Sequence, residues 1–149
     1  MRGVICFIMI AVSIIVGYLK MQNDKKALLY ADFYCDFVKS LIRNNQGEML
    51  PIYRVFSGMY TKFNVNDKAF DCLEDVISEL RCNTLGEKDI CVLKEFTEAN
   101  IRNVEACSEN LIMSAESNRK SRLNEYEKRG KSAVILYPCV AALLILIIV

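Results

Sequence analysis

The chain predicts an all-α protein, with a transmembrane helix at each end and a cytosolic helical bundle between them. Three features carry that expectation. Two uncharged apolar stretches lie at residues 4–19 and 133–149, apolar residues between them recur every three or four positions, and the 149 residues include only six glycines and two prolines. The boundaries that follow are a first span over 1–20, a helical domain over 21–131 and a second span over 132–149.

Each apolar stretch is long enough, at about 1.5 Å per residue, to cover roughly 25 Å as a helix, close to a hydrocarbon core of about 30 Å. Gly3, Ser132 and the stems of Lys20 and Lys131 make up the remainder. A cleaved signal peptide is the other reading of the first stretch, with Arg2 as a minimal basic region, but the residues after it are KMQNDKK and hold no small-x-small cleavage site. With the first stretch retained, the second is one leg of a hairpin and not a lone tail anchor. Lys20, Lys25 and Lys26 follow the first span, while Arg119, Lys120, Arg122, Lys128, Arg129 and Lys131 precede the second. Cytoplasmic segments hold the Lys/Arg excess, so the middle region is expected in the cytoplasm and both termini on the opposite side.

Leu28, Ala31, Cys35, Val38 and Ile42 continue the first span as an amphipathic helix to about Asn44, where NNQG supplies a stop. Pro51 suits the first turn of a second helix, with Ile52, Phe56, Met59 and Phe63 on one face. After the turn residues NVND, Ala69, Leu73, Val76 and Leu80 mark a third. Thr84 and Glu87 fit a capping box, and Ile90, Leu93 and Phe96 open a fourth. Ile101, Val104, Leu111 and Ala115 prolong it after a break near Thr97. Beyond Ala115 the face is polar, with Leu123 and Tyr126 as its large apolar residues. Tyr30, Tyr34 and Phe37 form a second apolar edge on the first helix. They are candidates either for the core or for a face presented to a partner.

Chemistry is sparse. The chain contains no histidine, the commonest general base, and no glycine-rich phosphate loop. Its seven cysteines are Cys6 and Cys139 in the spans and Cys35, Cys72, Cys82, Cys91 and Cys107 between them; five is an odd number and no pair has CxxC spacing, which argues against a disulfide framework or a zinc site. Buried or incidental thiols in a reducing compartment are the plainer reading. Asp71, Glu74 and Asp75, and again Glu98, Glu105 and Glu109, cluster at helical spacing, which serves acid/base work or metal binding but is more often the wet face of a helix. Apart from Arg2 the chain carries equal numbers of basic and acidic residues, which leaves no net charge for nucleic acid. The basic run Arg119–Lys131 reads as a topology determinant before a lipid-headgroup site, because Glu116, Glu125 and Glu127 are mixed into it. Ser13 and Gly17 form a small-xxx-small pair, and Pro138 interrupts the second span's hydrogen bonding. No catalytic, cofactor or metal residues are assigned.

Several segments together resemble the stage III sporulation protein AB family of endospore-forming bacteria. VGYLK is similar to the family's exit from the first span, EMLPIYRVF to its leucine-proline helix start, and KAFDCLEDVI and TLGEKDICVLKEF to its next two helices. RLNEYEKRGKSAVIL resembles its approach to the final span. The pattern departs where Thr97 follows Phe96 in place of a glycine, where Lys39 and Ser40 stand near an acidic position, and at Tyr137–Pro138. What the resemblance implies is a cytosolic domain similar to that of type II secretion platform proteins. Such a domain would be a non-enzymatic assembly subunit in the mother-cell membrane around the forespore, docking a secretion-type ATPase and other membrane subunits of a channel. Two other readings compete with it: an unrelated membrane hairpin acting as scaffold or regulator, and a membrane enzyme using the carboxylate clusters.

Overall fold

The computed structural model describes residues 2–45, 51–63, 70–82, 85–98 and 103–148, and the described residues are helical with no strand among them. In chain order the elements are α1 (Arg2–Asn45), α2 (Ile52–Phe63), α3 (Leu73–Cys82), α4 (Glu87–Glu98), α5 (Val104–Glu125), a single π-helical segment (Tyr126–Gly130) and α6 (Lys131–Ile148). They divide into two compact units. One is made of the chain's ends, residues 1–28 and 120–149, and the other of residues 29–119. This division lies inward of the sequence-based boundaries at 20/21 and 131/132.

α1 is one uninterrupted helix: it holds no proline, and its apolar segment runs on past Gly17 into residues that pack at three and four. Two helical stretches, Ile5–Asn44 and Val104–Leu146, are long and apolar enough to cross a membrane. Only 6% of the apolar window of the first and 17% of the second are buried, so neither is the core helix of a water-soluble fold. Phe7, Ile135 and Leu146 are each at least 70% exposed, a display of large apolar side chains that water would oppose and lipid accepts.

The unit of residues 29–119 has a core of its own, and aromatic rings fill its centre. Phe56 of α2 lies at 0% exposure, with ring centroids at 5.6 Å from Phe33, 5.0 Å from Phe37, 5.5 Å from Tyr60 and 4.9 Å from Phe70. Three of those four pairs meet edge to face, the arrangement that aligns one ring's positive edge with another's negative face. Around them close Val38 and Leu41 of α1, Val76 and Leu80 of α3, Ile90, Leu93 and Phe96 of α4, and Leu111 and Ala115 of α5.

Local signals set the helix ends. The Pro51 carbonyl accepts from Arg54 N–H at 2.9 Å and Val55 N–H at 3.3 Å, so proline opens α2 where its missing donor costs nothing. At the start of α3 the Asp75 carboxylate accepts from the backbone N–H groups of Asp71 and Cys72, at 3.2 and 3.3 Å. α4 begins two residues later than a Thr84–Glu87 capping box requires. Gly86 occupies the cap, its carbonyl accepting from Asp89 and Ile90, and Glu87 instead holds Arg81 at 2.8 Å. Thr84 lies outside the described residues, as do the NVND turn, Ala69 and Ile101. α4 and α5 are separate helices, ending at Glu98 and restarting at Val104.

Candidate functional site

Within the unit formed by the chain's ends, α1 and α6 meet through a glycine. A β-carbon at Gly17 would lie 2.7 Å from the Ala133 carbonyl oxygen and 3.2 Å from the Val134 α-carbon. Those are backbone atoms, which cannot swing aside, so only glycine lets the two helices approach this closely. Ala133, at 5% exposure, provides the matching small surface. Away from this crossing a groove of about 420 Å³ opens between the same helices, lined among others by Val12, Ser13, Tyr137 and Leu144. Ser13 donates its hydroxyl to the Ile10 carbonyl at 2.7 Å, so it carries no unmet polar demand into the apolar segment. α6 continues through Pro138, whose ring nitrogen has no hydrogen to return to the Val134 carbonyl.

A second glycine closes the other end of this contact. Gly130 is buried at the end of the π-helical segment, and a β-carbon there would stand 3.2 Å from Asp24 Oδ2 and 3.1 Å from the Tyr126 ring. The wider π turn is closed by Lys131 N–H donating to the Tyr126 carbonyl. Asp24 accepts from Lys20 at 2.7 Å through Oδ1, while its Oδ2 is buried with no hydrogen-bond partner. The Lys131 ammonium sits 5.4 Å from the centre of the Tyr126 ring, a cation–π distance. Lys25, Lys26, Lys128 and Arg129 are exposed.

In the unit of residues 29–119 several acidic residues have structural employment. Asp75 caps α3. Glu79, among the described residues the one buried charged side chain at 8% exposure, accepts from the Tyr60 hydroxyl at 2.7 Å, bridging α2 and α3 inside the core. Asp89 accepts from the Ser114 hydroxyl and from Asn118 Nδ2 at 2.9 Å, joining α4 to α5. Asp32 holds Arg119, and Lys39 lies 3.6 Å from Glu116. Asp71 and Glu74 are exposed, as are Glu98, Glu105 and Glu109. Among the described residues no three Cys, Asp or Glu side chains group as metal ligands would.

Tyr30, Tyr34 and Phe37 do not face outward. They lie at 5%, 0% and 0% exposure, so the partner-facing alternative gives way to the core. The reason is their position. They recur at four and three along α1 and form the centre of its buried face, whereas Leu28 and Ile42 of the expected stripe sit at its half-buried margins. Burial pushes the Tyr34 phenol well above its ordinary range, and the nearby Asp89 carboxylate adds to the shift. Its hydroxyl has no hydrogen-bond partner. Burial likewise raises the Cys35 thiol, against the opposing pull of Lys39 and Arg119, which keeps it in the unreactive protonated form. All seven cysteines are free, and Cys72, Cys82 and Cys91 are exposed. The groove between α3 and α4, about 390 Å³ and lined by Ile77, Ser78, Arg81, Cys82, Lys94 and Glu98 among others, mixes both signs of charge.

The residues that sequence reasoning missed are Asp24 and Gly130. Neither belongs to an apolar stripe, Gly130 stands only inside the segment RLNEYEKRGKSAVIL, and only the long-range contact between the chain's two ends brings them together. Comparison of the chain with protein-family models, with curated proteins and with solved structures finds no match.

Proposed function

We propose that the chain is a two-span membrane protein whose middle region lies in the cytoplasm as a helical module. In this reading it serves as a non-enzymatic platform of the stage III sporulation protein AB type, in the mother-cell membrane around the forespore. It docks an assembly ATPase there and contacts other membrane subunits of the channel complex. The observation that carries the reading is the pairing of the two apolar ends in one unit, while residues 29–119 pack as another around an aromatic core. A hairpin of this kind holds a module at a bilayer, which is what a platform needs. The flanking Lys and Arg residues support the cytoplasmic side for that module. The sporulation setting rests on the segments VGYLK, EMLPIYRVF, TLGEKDICVLKEF and RLNEYEKRGKSAVIL.

A non-enzymatic role fits the use of Asp75, Glu79 and Asp89 as cap and bridges, which ties these carboxylates to structure. The test is co-purification from sporulating cells of the tagged full chain with a secretion-type ATPase, together with the timing of expression. Recovery of the ATPase after engulfment begins supports the platform reading. Expression in vegetative growth without any ATPase reduces it to a membrane hairpin scaffold of another assembly.

A further inference from the structure

The chain as a whole is close to neutral, yet its two units are not. Residues 29–119 hold ten basic and fifteen acidic residues, while the unit formed by the ends holds nine basic and three acidic. The positive charge of that second unit is concentrated where the apolar segments end. Lys20 directly follows Leu19, Lys131 stands two positions before Ala133, and the Asp24–Gly130 contact brings the two sets of cations together.

The acidic residues that would blunt this field are committed elsewhere. Asp24 is held by Lys20 at 2.7 Å, Glu125 by Arg122 at 3.0 Å, and Glu116 belongs to the other unit, where it faces Lys39. Lys131 lies over Tyr126. Lys120 is exposed as well but stands eleven residues before Lys131, so beside the apolar segments the remaining cations are Lys25, Lys26, Lys128 and Arg129, all exposed, against the single acid Glu127. On α1 the outermost of these is six residues beyond Lys20, about 9 Å along a helix, which is within a Debye length of about 8–10 Å.

We propose that Lys25, Lys26, Lys128 and Arg129 form one collar that binds the headgroups of anionic phospholipids and gives the protein a preference for membrane regions rich in them. The proposal rests on the two-span reading but not on the sporulation assignment. Its occupant is the bilayer surface and not a soluble polyanion, because the cations border the segments that lipid must cover. The buried Gly130 and the π turn belong to the device. They seat the second chain segment against Asp24 while leaving Lys128 and Arg129 exposed.

The experiment reconstitutes the full chain into vesicles of phosphatidylcholine alone and of phosphatidylcholine with a minor share of phosphatidylglycerol. Retained lipid is then quantified after mild detergent extraction at low and high salt. The expected result is enrichment of phosphatidylglycerol over its bulk share. It should shrink stepwise towards the bulk share in the series Lys25→Gln, Lys26→Gln, Lys128→Gln and Arg129→Gln, each charge removed weakening headgroup affinity about fivefold, and fade at high salt. Equal retention of the two lipids, or a preference unchanged in the fourfold variant, overturns the proposal. So does displacement of the lipid by inorganic polyphosphate at matched charge, which would mark a generic anion patch. Alkaline-carbonate resistance in the neutral vesicles is read in parallel. Insertion without lipid preference removes the collar alone, whereas failure to insert removes the two-span reading and the collar with it.

Discussion

The two units of this molecule solve opposite burial problems with similar amounts of apolar residue. Residues 29–119 hide their large side chains, with Tyr34, Phe37, Phe56, Leu80, Leu93 and Leu111 all below 2% exposure. The unit formed by the ends displays them, and buries mainly small residues, Gly17, Gly130, Ala133 and Ala141. In water, removal of apolar area drives packing, so the largest rings go to the centre. Between helices in lipid that drive is absent, and close approach of backbones decides, so the smallest residues mark the contact. Charge divides along the same line, negative in the unit with the aromatic core and positive beside the apolar segments.

That contrast can be broken from either side. Phe56→Ala removes the ring at the centre of the aromatic cluster, and is expected to destabilise residues 29–119 by about 4 kcal/mol. Denaturant unfolding followed by amide exchange in the reconstituted chain should show the loss there, with the apolar ends still protected. Gly17→Leu acts on the other unit, because it drives a side chain into the Ala133 backbone. A cost of about 2 kcal/mol to the helix pairing is expected, read as lower energy transfer between dyes placed on α1 and α6, with Gly17→Ala intermediate.

Tyr34 sharpens the comparison through pH. The unfolded chain ionises its phenol near pH 10, while the folded chain resists ionisation. The stability Tyr34 confers is therefore complete below about pH 10 and is lost as pH rises further, by about 1.4 kcal/mol per unit. Tyr34→Phe should flatten that alkaline decline and leave neutral-pH stability equal or slightly higher, since the hydroxyl has no partner to lose. The smallest effect is at Gly58, within α2, where an added β-carbon meets nothing within 4 Å. Gly58→Ala is expected to stabilise by about 0.5–1 kcal/mol, the reverse in sign of Gly17→Ala, in the same denaturant assay.

Periodicity made much of this legible in advance. Spacing alone points to Val76, Leu80, Ile90, Leu93, Phe96, Leu111 and Ala115, and each lies in the core. Those helices have one wet face and one dry face, so a 3.6-residue period leaves little choice. α1 was harder. Between residues 28 and 42 it carries apolar residues on most of its circumference, and tyrosine suits a core or an interface equally, so spacing could not locate the centre of its buried face. Glu79 reads as a solvated acid until Tyr60, nineteen residues away, is placed beside it. The start of α4 went to Gly86 because helix ends depend on backbone geometry that a four-residue motif only partly fixes. The π turn leaves no signature in YEKRG; it becomes meaningful only through the contact of Gly130 with Asp24.

The molecule's own cysteines test the proposal that its apolar pair of helices faces lipid while residues 29–119 pack separately. Single-cysteine versions of the full chain, reconstituted in vesicles, would be exposed to a membrane-impermeant maleimide from the side on which the middle region lies. Cys82 and Cys91, exposed on α3 and α4, should react rapidly, and Cys139, exposed on α6, should react only after the bilayer is dissolved and the chain denatured. Equal labelling of Cys139 and Cys82 in intact vesicles would contradict the account, because it would put α6 in water.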